Sequence, residues 1–279
     1  TLFSCKSKVE THPNIIFIMS DDHAYQAVSA YGYGLNNTPN IDRIAAEGAL
    51  FQKGFVTNSI CAPSRAVMLT GKHSFVNGKV DNIQDFNWDQ DNFAKHLQKA
   101  GYQTALIGKI HLRGLPQGFD YSAVLPGQGH YYNPDFIING IKERIEGYVT
   151  SVTTNLALDW LKNKREKTQP FLMLYHQKAP HRNWKPEEKY LRLFDDKTFD
   201  PPANFFDDYS NRGTAAKSQE MLIAASEEQI AAAHGNGGHG RWGHDFKMLT
   251  DPYGNATGFE RELERFNPEQ KQAWLDAYT

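Results

Sequence analysis

Cys61, Ser64 and Arg65 stand in one short run, Cys61-Ala62-Pro63-Ser64-Arg65, and Thr70-Gly71 closes the segment. A thiol, a hydroxyl and a guanidinium this close put a reactive group beside a fixed positive charge. The apolar residues Ala66-Val67-Met68-Leu69 that follow read as a helix running into the core. Its N-terminus, with Arg65 beside it, favours an anion next to Cys61. Taken alone, a cysteine beside a turn proline is more often a buried structural residue. The residues therefore give an anion site with a reactive group, and no more. Asp21-Asp22 adds two hard oxygen donors that suit a divalent cation such as Ca²⁺ or Mg²⁺. Such pairs also cap helices and fill turns. Lys109, His111 and His181 are further candidates, each with a bland reading as a solvated lysine or a satisfied turn histidine.

What brings these residues together is the order of the elements. Residues 14–20 (NIIFIMS) form a short apolar run, the pattern of a parallel strand covered on both faces, and it leads directly into Asp21-Asp22. Residues 38–47 read as a helix, with Thr38 as N-cap, Pro39 at the first position and Gly48 beyond the end. The unit repeats as a helix over 91–100 and a strand over 103–107 that leads to Gly108-Lys109-Ile110-His111. It repeats again as a helix over 149–164 and a strand over 171–175 that ends near Ala179-Pro180-His181. This is an α/β pattern, and in open α/β sheets ligands bind beyond the carboxyl ends of the strands. Asp21, Asp22, Lys109, His111 and His181 are expected to meet there. After Arg182 the texture becomes Pro-rich, acidic and aromatic, then a helix over 215–234, then a Gly/His loop over 235–244, read as a long excursion from the sheet. His234, His239 and His244 in that stretch lack a partnered zinc pattern.

Composition excludes several classes. The 279 residues are 40% hydrophobic, enough for a sizeable core, so a peptide-scale or disulfide-stapled scaffold is ruled out. Lys and Arg number 30 against 32 Asp and Glu, which marks neither a nucleic-acid binder nor an acidic tail. The longest uninterrupted apolar run, Ile15–Met19, falls far short of the roughly 20 residues that cross a bilayer. Only Cys5 and Cys61 are cysteines.

The spacing C-x-P-S-R-x-x-x-x-T-G, met at Cys61 to Gly71, resembles the signature of type I sulfatases. Companion elements extend the resemblance from Pro13 to about His181. They are the strand ending in Asp21-Asp22, the helix Thr38-Pro39-Asn40-Ile41-Asp42-Arg43-Ile44-Ala45, the G-K-x-H element at Gly108 to His111, and Lys178-Ala179-Pro180-His181. The resemblance implies an alkaline-phosphatase-like fold with a large mixed, mostly parallel sheet flanked by helices. Residues 1–12 would be a tail, residues 13–279 an incomplete N-terminal catalytic domain with a long insertion from about 182, and the C-terminal subdomain would lie outside the chain.

It also implies a chemistry. Cys61 would be oxidised to formylglycine by a maturation enzyme, and its hydrated diol would attack the sulfur of a sulfate ester and later expel sulfate. Asp21, Asp22 and residue 61 would hold Ca²⁺, with Mg²⁺ as the alternative. Arg65 and Lys109 would add positive charge. His111 would serve as base for the diol oxygen and His181 as acid for the leaving alcohol or as a sulfate contact, with these two roles open to exchange. The family's further metal-binding Asp-Asn/Gln pair and second lysine have no match within residue 279, and the sequence stops inside a helix-like segment, so the polypeptide is expected to continue.

The segment Gly127-Gln128-Gly129-His130-Tyr131-Tyr132-Asn133-Pro134, with Asn139-Gly140 after it, is similar to one in glucosamine-6-sulfatases. It reads either as a specificity loop or as a structural Tyr/Asn turn. The expected reaction is hydrolysis of the 6-O-sulfate of N-acetylglucosamine in glycosaminoglycan fragments. A formylglycine-dependent phosphoesterase or phosphonate hydrolase and a non-enzymatic sulfoglycan-binding protein are the alternatives. Finally, Thr1-Leu2-Phe3-Ser4-Cys5 resembles the end of a bacterial lipoprotein signal, which implies a lipidated Cys5, membrane attachment and a periplasmic or cell-envelope location.

Overall fold

A computed structural model describes residues 12–182, 184–200, 203, 204, 207, 209–218 and 264–278. Cys5, most of the helix expected over 215–234 and the Gly/His loop lie outside the described residues. The chain divides into two compact units, Thr1–His181 and Arg182–Thr279.

The first unit is built on a six-stranded sheet in the order β1-β6-β2-β3-β4-β5. Its strands are β1 (Ile15–Met19), β2 (Gln103–Lys109), β3 (Tyr121–Leu125), β4 (Asp135–Ile138), β5 (Ile141–Arg144) and β6 (Phe171–His176). β1, β6, β2 and β3 run parallel, while β4 and β5 are antiparallel additions. The sheet is therefore mixed and mostly parallel, as the family resemblance implies. The third repeat of the sequence, β6, inserts between the first two, so all three polar strand ends fall side by side.

Helices α1 (Pro39–Glu47), α2 (Cys61–Thr70), α3 (Ser74–Asn77), α4 (Phe93–Lys99) and α5 (Val149–Asp159) accompany the sheet. α2 sends Ala62, Ala66 and Leu69 into a cluster with Leu106, Ile110, Val124, Leu172 and Leu174 of the strand region, and α4 adds Ala94. Asn92 caps α4 by accepting from the Lys95 backbone N–H, one of the donors a helix start leaves free. The helix expected over 149–164 is α5 followed by a π-helical turn over Trp160–Lys164.

One expectation needs correction, and two features were left open by the sequence. β1 is not covered on both faces: it is an edge of the sheet, and Ile16, Phe17 and Ile18 are 47%, 38% and 57% exposed. Its apolar run carries the signature of a covered strand, but among the described residues it pairs with β6 alone and its faces stay open. The strands β3 to β5 were not anticipated, and β5 (IKER) is polar and exposed, so hydrophobic periodicity could not signal it. Asn139-Gly140 is the two-residue turn between β4 and β5, with φ of +47° and +90°. Positive φ at both positions is the type I′ hairpin geometry that Asn-Gly favours.

In the second unit, a 3₁₀ turn covers Glu188–Tyr190 and a helix spans Pro268–Tyr278, whose buried Trp274 packs against Phe266 at a ring separation of 5.9 Å. Among the described residues no helix is long and apolar enough to cross a membrane.

Candidate active site

All the candidate residues described here lie in the first unit, beyond the carboxyl ends of β1, β6 and β2. The Gln177 N–H donates to Met19 O at 2.7 Å and the Asp21 N–H to Ala179 O at 3.1 Å. These bonds lace the exit of β1 to the exit of β6, which brings Asp21-Asp22 beside His181. Asp22 and His111 both adopt left-handed backbone, with φ of +52° and +54°. For residues other than glycine that conformation costs on the order of 1–3 kcal/mol and clusters at functional sites.

Cys61 opens α2 as a half-buried free thiol, with Sγ 3.9 Å from His181 Nε2. One helical turn later on the same face, Arg65 is buried and aims into the sheet. Its NH2 donates to Asp21 Oδ2 at 3.2 Å, and its NH1 reaches the Lys109 carbonyl oxygen and His176 Nδ1, the latter at 3.2 Å. Lys109, the last residue of β2, is fully buried and ion-pairs with the same Asp21 Oδ2. Gly108 precedes it, and a Cβ there would collide with the His176 carbonyl oxygen, so only glycine allows β2 and β6 to pack here. A cavity of about 500 Å³ covers the site, lined by Asp21, Asp22, His23, Ser59, Cys61 and Arg65 among others.

The charges explain one another. Burial by itself raises the Asp21 carboxyl, but Lys109 and Arg65 overcome it and hold the group below the usual carboxylate range. Asp22 moves the other way, raised by partial burial and then by the Asp21 carboxylate. Burial, reinforced by Lys109 and Arg65, pushes His111 down to about 4, so its ring is neutral at pH 7.

Asp21, Cys61 and His181 each offer a ligand atom, and these lie within 4.8 Å of one another. Asp22 joins from the side, its Oδ2 3.6 Å from His181 Nε2. The donor set fits a divalent cation: Lys109 and Arg65 both engage Oδ2 of Asp21, which leaves Oδ1, and an ion would relieve the repulsion that raises Asp22.

The chain matches the sulfatase family over residues 13–238. It belongs to that family. An N-acetylglucosamine-6-O-sulfatase of Bacteroides thetaiotaomicron is 52% identical over 229 residues, covering 80% of this chain and 41% of that relative. A solved structure of a protein in complex with its substrate D-glucosamine-2-N,6-O-disulfate superposes with a TM-score of 0.84 at 44% identity, covering 96% of this chain and 53% of that one. A phosphonate monoester hydrolase of Agrobacterium radiobacter shares the fold at a TM-score of 0.59 and 18% identity, covering 96% of this chain and 60% of that one. The chain thus spans about half or less of the first of these relatives and of its substrate-bound structural neighbour.

Within this sulfatase chain the structure gathers Asp21, Asp22, Cys61, Arg65, Lys109 and His181 through direct contacts, and His111 stands two residues past Lys109 with its Nδ1 buried. The Tyr/Asn segment is mainly internal. Tyr131 and Tyr132 are buried, the Tyr131 hydroxyl donates to the His181 carbonyl oxygen, and Asn133 Oδ1 accepts from the Gly147 N–H at 2.8 Å. Two contributors were given no role of their own in the sequence reading. Lys178 bonds the Gln128 carbonyl at 3.1 Å and lies 4.6 Å over the Tyr131 ring, tying that segment to the turn that carries His181. His176 sits at the end of β6 against Arg65, and its signal was a histidine closing an otherwise apolar strand.

Proposed function

We propose that the protein carrying this chain hydrolyses sulfate esters on carbohydrate, removing the 6-O-sulfate of N-acetylglucosamine from glycosaminoglycan fragments. The observation that carries the reading is Cys61 at the head of α2, 3.9 Å from His181 and over the buried Asp21, Arg65 and Lys109 group. The name of the Bacteroides relative and the substrate in the structural neighbour support the choice of sugar.

In this reading Cys61 would be matured to formylglycine, whose hydrate would supply the nucleophilic oxygen, and Asp21, Asp22 and residue 61 would hold Ca²⁺, which would supply charge stabilisation at a sulfate oxygen. The chain's own residues do the rest. Arg65 and Lys109, kept dry, present fixed positive charge beside residue 61, where low dielectric strengthens it. His181 Nε2 exchanges a proton with the group at residue 61 or with the leaving alcohol. His111, neutral at pH 7, is able to accept one.

The test is a substrate panel for matured full-length protein: singly sulfated hexosamines and uronates, an aryl sulfate and a phosphate diester. Preferred release of 6-O-sulfate from N-acetylglucosamine is expected. Preference for another position overturns the sugar assignment, and preference for the phosphate diester overturns the sulfatase reading. Attachment to the cell envelope through Cys5 belongs to the same proposal and rests on the run Thr1-Leu2-Phe3-Ser4-Cys5 alone. Cys5→Ala is expected to move the protein from the membrane to the soluble fraction, and a native Cys5 peptide without acyl mass rejects attachment.

A further inference from the structure

His176 is fully buried, and no role in catalysis has been given to it above. Its Nδ1 lies 3.2 Å from Arg65 NH1 and 3.1 Å from the Lys109 carbonyl oxygen. A guanidinium only donates and a carbonyl only accepts, so Nδ1 serves Arg65 when unprotonated and the Lys109 carbonyl when it carries the ring proton. With the ring proton on Nε2, Nδ1 and the Lys109 carbonyl are two acceptors for the two hydrogens of NH1. The other guanidinium arm, NH2, is held by Asp21 Oδ2 at 3.2 Å. In that tautomer Arg65 is gripped on both arms, which sets its plane relative to Cys61 one turn earlier.

We propose that His176 is a positioning residue that fixes the Arg65 guanidinium beside residue 61 by accepting from it through a neutral Nδ1. Two further observations support this. Nε2 of the same ring is buried without a hydrogen-bond partner, a cost that a residue present only to fill space would not carry, since phenylalanine would occupy the site without it. Burial, with Arg65 adding to it, pushes the ring down to about 3, so it stays neutral across the physiological range. The backbone fixes the pairing as well, because Gly108 lies opposite His176 in the β2–β6 register and passes hard against its carbonyl.

The inference rests on the sulfate-ester reading for its kinetic consequence but not for its structural one, and the experiment separates them. His176→Phe keeps the bulk and removes the acceptor, while His176→Asn restores an acceptor oxygen near the place of Nδ1. Both are compared with wild type as matured full-length protein, with formylglycine content measured by mass spectrometry and folding by thermal unfolding. His176→Phe is expected to lower kcat per formylglycine by about tenfold or more, with KM changing by less than about threefold, and His176→Asn to recover most of the loss. A purely structural role would change the melting temperature or the folded fraction and leave kcat per site alone, so that result, or equal impairment of both variants, overturns the proposal.

Should His176→Phe fail to fold, ¹⁵N spectra of the wild-type imidazoles decide. An Nε2–H ring that stays neutral at pH 5 is expected, and an Nδ1–H ring overturns the proposal. If wild type itself releases no sulfate from any ester, the sulfate-ester reading falls, while the ¹⁵N spectrum still judges the histidine.

Discussion

Cys61 Sγ and His181 Nε2 lie 3.9 Å apart although 120 residues separate them in the chain. Two independent supports create this approach. The core residues Ala62, Ala66 and Leu69 seat α2, with Cys61 at its head, and the β1 and β6 exits are laced together by backbone bonds at Met19 and Ala179. The Tyr131 hydroxyl also donates to the His181 carbonyl oxygen. The reactive position is therefore defined by the packing of a helix against strand ends rather than by any local motif.

Cys61→Ala should abolish turnover while leaving the fold intact. The side chain is small and only half-buried, so the stability change is expected to stay within about 1 kcal/mol. Peptide mass spectrometry of active wild-type protein should find formylglycine at position 61. Full activity with an unmodified cysteine there would remove the basis for the proposed chemistry.

Asp21→Asn and Asp22→Asn should separate stability from activity. Asp21 neutralises two buried cations, and breaking a buried ion pair by removing one partner costs about 3–5 kcal/mol. Asp22 is 57% exposed at its side chain and repelled by its neighbour, so its loss should cost little stability. Both variants should lose activity through the cation site. Urea unfolding checks the contrast, and equal destabilisation by the two would contradict the charge arrangement.

Exhaustive chelation should remove activity, and added Ca²⁺ should restore it more effectively than Mg²⁺. Direct titration of the chelated protein with Ca²⁺ should give binding that Asp22→Asn weakens. Undiminished turnover after chelation would reject a catalytic ion.

Stability should fall as the pH drops below about 6.5. The folded protein keeps His111 and His176 neutral down to about 4 and about 3, whereas the unfolded chain protonates them near 6.5. Between those values the unfolded state binds more protons, so unfolding free energy decreases with acidification and levels off below the folded values. Thermal melts across pH 3–7 should show this slope, and His176→Asn should flatten its lower part. A slope of the opposite sign would show that these rings are charged in the fold.

The sequence by itself determined the family and supplied the candidate residues. Asp21-Asp22, the Cys61 to Arg65 run, Lys109, His111 and His181 were legible because reactive types recur at strand ends and at a helix start, and because the Cys61 spacing is specific. The strands β1, β2 and β6 were legible too, since each is a short apolar run closed by polar residues.

The tertiary structure alone decided what neighbours what. The insertion of β6 between β1 and β2 places His176 against Arg65, and no local pattern encodes strand order. Asn139-Gly140, which the sequence left open between a specificity loop and a structural turn, is a hairpin turn, and Tyr131 is a brace for His181. The exposure of β1 likewise escaped the sequence, because an apolar run reports what a strand is able to bury, whereas cover depends on which segments pack across it. Residue type and spacing fix which groups are available for chemistry, but distances between them arise from long-range packing, which brings together residues as far apart in sequence as Cys61 and His181.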